Sequence, residues 1–268
     1  MSYTLDDLLY LMSRLRDPDG GCPWDLEQTF DSIVPHTLEE VYEVVDTIER
    51  RDWTHLQDEL GDLLFQVVFY ARLAQEENRF DFSQIIDQLV SKLLRRHPHV
   101  FPDGELRGVR STEVVDQQQV NRNWESIKQD ERQAKSRDRV LDEIPQALPA
   151  LNRALKLQKR AAQVGFDWDE ADKVLDKIEE ELAELRQAIR EQDHDAVRDE
   201  MGDMLFAQVN LCRHLSVEPE QALRGTNAKF ERRFRHIEDQ VKASGRPWQA
   251  FTLEELDQYW NQAKLKGL

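Results

Sequence analysis

The sequence predicts an all-α protein built from two copies of one helical unit, and three observations predict it. Its 268 residues are 40% hydrophobic and 33% charged with only 10 Gly and 9 Pro, a balance that suits long amphipathic helices better than strands and their turns. Apolar residues recur at helical spacing. One pattern of acids is also written twice at a fixed offset: 181−40, 184−43, 200−59 and 203−62 all give 141. A chain of this length can supply two small cores.

From the N-terminus, MSYTLDDLLYLMSRLRD is acidic and amphipathic. It has no apolar run near roughly 18 residues, so neither a signal peptide nor a membrane span is expected and the chain is expected in the cytoplasm. Asp17 to Trp24 reads as a loop by its Gly and Pro content. Val41, Val44, Val45 and Ile48 then follow the i, i+3, i+4, i+7 template, as do Leu60, Leu63, Leu64 and Val67, so two helices with one apolar face each flank a turn at Arg50 to Trp53. Phe82 to Arg96 and Val114 to Lys128 read as further helices. Gln129 to Arg139 is polar apart from Ala134 and is followed by Pro145 and Pro149, which marks a linker. The expected domains are residues 1–135 and 136–268, of four to five helices each.

The second copy repeats the first. Leu38-Glu39-Glu40-Val41-Tyr42-Glu43 returns as Glu179-Glu180-Glu181-Leu182-Ala183-Glu184, and Asp58-Glu59-Leu60-Gly61-Asp62 returns as Asp199-Glu200-Met201-Gly202-Asp203. Lys92 and Arg96 correspond to Lys229 and Arg233, and Trp124 and Lys128 to Trp260 and Lys264.

A formal net charge of −17 repels nucleic acid polymers and anionic membranes. A small polyphosphate remains compatible, because a bound divalent cation inverts the field such a ligand meets. Cys22 and Cys212 are far apart in sequence, which gives neither a disulfide framework nor a thiolate zinc site.

At 100° per residue Glu39, Glu40 and Glu43 fall on one helix face, and Glu59 and Asp62 share a face of the next helix. Antiparallel packing of the two helices makes the five converge. Two carboxylates roughly 5 Å apart repel by about 3 kcal/mol at an effective dielectric near 20, so a hard cation is the natural occupant. An all-oxygen donor set suits Mg²⁺ or Mn²⁺ and disfavours zinc. The ordinary alternative is a solvated acidic face, with Thr37-Leu38-Glu39-Glu40 as a capping box. Glu181 sits well inside its expected helix, so capping does not explain both copies. Lys229 and Arg233, one turn apart, can grip phosphates, and Trp260 with Lys264 can hold a base; the ordinary reading is a core Trp and solubilising cations.

These residues resemble the MazG family of the all-α NTP pyrophosphatase superfamily, whose signature is E-E-x-x-E followed by E-x-x-D on the next helix, and both copies match it. The resemblance extends to the Cys22-Pro23-Trp24-Asp25 loop and the Lys229 to Arg235 run. It implies hydrolysis of nucleoside triphosphates to monophosphate and pyrophosphate with broad base tolerance, Mg²⁺ as cofactor (Mn²⁺ as substitute), and a helix bundle completed across a homodimer. It implies metal ligation by Glu181, Glu184, Glu200 and Asp203, with Glu180 as auxiliary carboxylate or base, and nucleotide contacts from Lys177, Lys229, Arg233, Trp260 and Lys264. The first copy, with Glu39, Glu40, Glu43, Glu59, Asp62, Lys92, Arg96, Trp124 and Lys128, ranks second, because His36 stands where Lys177 stands in the other. A module that binds nucleotide or a partner without turnover is the alternative. A di-iron bundle finds only Glu191-Gln192-Asp193-His194 for its E-x-x-H motifs.

Overall fold

A computed structural model describes residues 2–109, 116–117, 119–120, 123–124, 127, 139–142 and 144–268. The chain divides into two compact units, Met1–Arg132 and Gln133–Leu268. No strand occurs among the described residues, and none of their helices is long and apolar enough to cross a membrane. Lys128 and the greater part of the stretches Val114–Lys128 and Gln129–Arg139 lie outside the described residues.

In the first unit α1 (Leu5–Leu15) starts from a reciprocal Thr4/Asp7 capping box, α2 (Pro23–Glu27) is a short turn with Pro at its start, and α3 (Phe30–Arg50) and α4 (Trp53–Glu76) form a hairpin. The α5 helix (Phe82–Arg96) follows from an Asp81 cap. Met12, Ile33, Val68, Phe69 and Leu73 make the core, with α1 packed against α4.

The second unit repeats the hairpin with α7 (Ala171–Glu191) and α8 (His194–His214), preceded by α6 (Ala150–Ala162). It continues with α9 (Pro219–Ser244), a 3-10 turn at Trp248–Ala250 and α10 (Leu253–Leu265). The α6 helix packs on α8, and α10 on α9.

Each hairpin turns in two residues, the first left-handed and the second an Asp cap. Arg51 has φ 59° and Gln192 φ 56°, and the Asp52 and Asp193 side chains accept the first backbone N–H groups of α4 and α8. The turn expected at Arg50 to Trp53 is therefore present in both copies.

One expectation changes. The helix bearing Glu40 begins at Phe30, where the Thr29 hydroxyl accepts from Ser32 N–H at 3.2 Å and Ser32 Oγ accepts from Thr29 N–H at 2.9 Å. Thr37 thus lies inside α3, past Pro35, and donates its hydroxyl to the Ile33 carbonyl at 3.1 Å, so Glu40 is no cap. The apolar faces read from the helical spacing lie largely at the surface of the chain. Val41, Ile48, Leu60, Leu64 and Val67 are exposed within the chain, as are Ile189, Met201 and Leu205 in the second unit, while Val68, Phe69 and Leu73 form the core instead.

Candidate active site

The hairpins place the repeated acids face to face, because a two-residue turn brings the last half of one helix alongside the first half of the next. One carboxylate oxygen from each of Glu40, Glu43 and Glu59 lies within 4.8 Å of the other two, and the same holds for Glu181, Glu184 and Glu200. The fourth acid of each set, Asp62 or Asp203, stands close enough for its charge to act on the cluster. The outer Glu of each pair is not one of these three and has a basic partner on its own helix: Glu39 pairs with His36 at 3.8 Å and Glu180 with Lys177 at 2.8 Å.

Crowded like charges hold protons more tightly. Burial, followed by Asp62 and by the Glu43 charge and hydrogen bond, raises the Glu40 carboxyl above its ordinary range. Burial and then Glu43 raise Glu59, and burial and then Glu184, Glu181 and Asp203 raise Glu200. The two units differ at one cation. In the second, Lys177 Nζ lies 2.7 Å from the buried Glu181 and 2.8 Å from Glu180, and hydrogen bonds to Glu180 and then Glu181 push its own pKa up. The offset of 141 puts His36 there in the first unit. The donor chemistry fits a hard divalent cation: three carboxylates within reach of one another, all oxygen, whose mutual repulsion a cation would relieve. Glu181, Glu184 and Glu200 would hold it, with Asp203 beside them.

A cleft of about 360 Å³ opens against the second cluster and is lined by Lys177, Glu181 and Asp203 together with Phe166, Trp168, Val174 and Phe206. A cleft of about 620 Å³ in the first unit runs along α1 between Tyr3 and Cys22 and holds none of the clustered acids; size alone does not mark the chemistry.

The remaining expected contacts sit elsewhere in this chain. Arg233 lies over the Trp260 ring at 5.4 Å and donates its Nε to the Leu268 carbonyl at 2.8 Å, and Trp260 also meets the Phe230 ring at 5.3 Å. Neither they nor Lys229 and Lys264 line the acidic cleft. In the first unit Lys92 and Arg96 lie on α5, and Trp124 is 6.1 Å from the His97 ring.

Sequence reasoning missed the far wall of the cleft: Gln158, Asn210 and Arg213, the last held by Asp167. Burial would raise the Asp167 carboxyl, but hydrogen bonds and charge from Arg213 and then His214 bring it below its ordinary range. The signal was present for Asn210, since Asp203, Phe206, Ala207 and Asn210 follow the i, i+3, i+4, i+7 pattern.

The sequence matches the MazG nucleotide pyrophosphohydrolase domain twice, over residues 28–101 and 170–238, stretches that contain both hairpins. It is 52% identical over 264 residues to the nucleoside triphosphate pyrophosphohydrolase of Escherichia coli (strain K12), covering 97% of each chain. It is 40% identical to the nucleoside triphosphate pyrophosphohydrolase/pyrophosphatase MazG of Thermotoga maritima, covering 97% of this chain and 95% of that one. An uncharacterised Bacillus subtilis protein, YabN, is 41% identical over 95% of this chain and 50% of its own.

Proposed function

The chain belongs to the MazG nucleotide pyrophosphohydrolase family, and on that premise we propose that it hydrolyses nucleoside triphosphates to monophosphate and pyrophosphate in the acidic cleft of its second unit, with Mg²⁺ as cofactor. The observation that carries this reading is the cluster of Glu181, Glu184 and Glu200 within 4.8 Å of one another beside a lysine that faces the same cleft. Water adds across the α–β anhydride, its hydroxyl to one phosphorus and its proton to the departing phosphate.

Each residue has a role that its surroundings support. Glu181, Glu184, Glu200 and Asp203 hold the divalent cation, which when bound screens the triphosphate from the acids and lowers the pKa of water beside it. Lys177 cancels the charge of buried Glu181 and presents its ammonium to a phosphate entering the cleft. Glu180, exposed and tethered to Lys177, serves as the auxiliary carboxylate that takes the proton of the attacking water. Lys229, Arg233, Trp260 and Lys264 are nucleotide contacts outside the cleft as the single chain forms it.

The first-unit set of Glu39, Glu40, Glu43, Glu59, Asp62, Lys92, Arg96, Trp124 and Lys128 is the weaker site, because His36 replaces the cation beside the inner acids. We assign the two units as separate domains, 1–135 and 136–268, in a cytoplasmic homodimer. The exposed stripes on both hairpins support the dimer: Ile48, Leu60 and Leu64 have Ile189, Met201 and Leu205 at the 141-residue offset, all exposed, and a partner's helices would bury them. The net charge of −17 argues against a nucleic acid polymer as partner. The test is product analysis of each common NTP and dNTP with Mg²⁺. Monophosphate and pyrophosphate are expected; diphosphate and phosphate, or metal binding with no turnover, contradict the reading.

A further inference from the structure

One wall of the second cleft is fastened by charge. The cleft-lining Phe166, Asp167 and Trp168 belong to the segment 163–170 between α6 and α7. It leaves α6 through Gly165, left-handed at φ 85°, with the Phe166 N–H donating to the Ala161 carbonyl at 3.1 Å. Asp167 ties the segment to α8. One of its oxygens accepts from the Arg213 guanidinium and lies 3.2 Å from His214 Nε2, and both basic side chains are only 13% exposed. Arg213 Nε donates in turn to Asn210 Oδ1 at 2.9 Å, so the guanidinium is aimed by two partners.

A second ion pair of the segment is of another kind. Asp169 meets Lys173 of α7 at 2.6 Å with both side chains exposed, where such pairs contribute little. The pair at Asp167 is largely withdrawn from water and is screened less.

The first unit supplies an internal contrast. Gly21, Trp24 and Asp25 recur as Gly165, Trp168 and Asp169 at an offset of 144, and Pro23 stands where Asp167 does. Arg72, the counterpart of Arg213 at the offset of 141, pairs with Glu76 of its own helix instead. The tryptophan keeps its place in both units. Trp24 meets the His36 ring edge-on at 5.7 Å, and Trp168 lines the cleft together with Lys177, which holds the position of His36. The tie between this segment and the helix bearing Glu200 and Asp203 therefore belongs to the second unit, beside its lysine.

We propose, resting on the assignment of the hydrolysis to the acids of the second unit, that Asp167 is a positioning residue for that reaction: it holds Phe166 and Trp168 as the apolar wall beside Lys177, and the wall tightens the hold of the cleft on the triphosphate. The base is left to Trp260 and Lys264. An ammonium attracts a phosphate more strongly beside aromatic rings than in open water, because the rings displace the solvent that screens the two charges. Asp167 acts through this wall, so its effect falls on binding and not on the chemical step.

The test is steady-state hydrolysis of ATP with Mg²⁺ by the full-length protein and three variants. Asp167→Asn should raise KM about 10-fold with kcat within about 3-fold of the parent. Phe166→Ala, at a residue 78% exposed and so outside the core, should raise KM about 3- to 10-fold. Asp169→Asn, which breaks the exposed pair of the same segment, should match the parent. An Asp167→Asn variant with the parent's KM and a lower kcat has only lost active molecules and overturns the proposal, as does Asp169→Asn raising KM as far as Asp167→Asn. Should Asp167→Asn not fold, Phe166→Ala decides, and the parent's KM in that variant overturns the wall. Calorimetric binding of the α,β-methylene analogue of ATP with Mg²⁺ repeats the comparison without turnover. A parent that hydrolyses no triphosphate would sink the proposed reaction, while weaker analogue binding by Asp167→Asn would still support the wall and equal binding would overturn it.

Discussion

At the scale of single residues, the difference between the two sites rests on Lys177. Glu181 is 5% exposed, and a buried carboxylate without a cation either protonates or destabilises the fold. Lys177→Gln should lower kcat/KM by about 100-fold, measured by steady-state hydrolysis of ATP, while the helix content seen by circular dichroism is retained. The exchange of Lys177 for His36 was legible from the offset. The burial of Glu181 was not, because accessibility depends on how α7 packs. Nor was the ion pair of Arg16 with Glu76, whose partners are 60 residues apart. Arg16 is buried over the Phe69 ring and meets Glu76 at 2.7 Å, with Arg72 at 2.8 Å on the other carboxylate oxygen. Burial alone would raise the Glu76 carboxyl, but the two guanidinium groups bring it below its ordinary range. A carboxyl depressed in the folded state contributes stability above its unfolded pKa and loses it as pH falls through the folded value. Glu76→Gln should therefore cost about 2 kcal/mol at neutral pH, and the gap from the parent should close below the ordinary carboxylate range. Urea unfolding at both pH values checks it, and a gap that persists in acid would assign the effect to packing.

The hairpin is the element on which the site depends, and its period, its turn and its acids could all be read in the sequence. Its start could not. Thr37 with Glu40 imitates a capping box and Pro35 imitates a helix breaker, whereas the Thr29 cap that forms is closed by Ser32, a residue less expected at that position than Glu or Gln. The turns carry non-glycine residues at positive φ, Arg51 and Gln192, where a Cβ costs about 1 kcal/mol. Gln192→Gly should leave stability equal or raise it by up to about 1 kcal/mol, and Gln192→Val should lower it by about 1–2 kcal/mol, read by thermal unfolding. The opposite order would mean that the turn is held by something other than its backbone. The far wall of the cleft stayed hidden for a related reason: Gln158 belongs to α6, outside the repeated acid pattern, and only packing brings it to α8, where it donates to the Phe206 carbonyl.

For the whole molecule, the duplication was plain in the sequence, but which apolar face forms the core was not. Val41, Ile48, Leu60 and Leu64 and the core residues Val68, Phe69 and Leu73 all obey helical spacing, and period alone does not distinguish a face buried within the chain from one that awaits a partner. The exposed stripe recurs in both units, so the homodimer proposal makes a definite demand. Leu64→Glu and Leu205→Glu should each weaken self-association, and the double substitution should give a monomer in analytical ultracentrifugation where the parent sediments as a dimer. A parent that sediments as a monomer at micromolar concentration would contradict it.

The central claim is that the acids of the second unit carry most of the hydrolysis and those of the first contribute little. Glu43→Ala and Glu184→Ala, assayed side by side with ATP and Mg²⁺ for AMP and pyrophosphate, test it most directly. The account predicts that Glu184→Ala loses at least about 100-fold in kcat while Glu43→Ala stays within a few-fold of the parent. Equal losses in the two variants, or loss confined to Glu43→Ala, would contradict it.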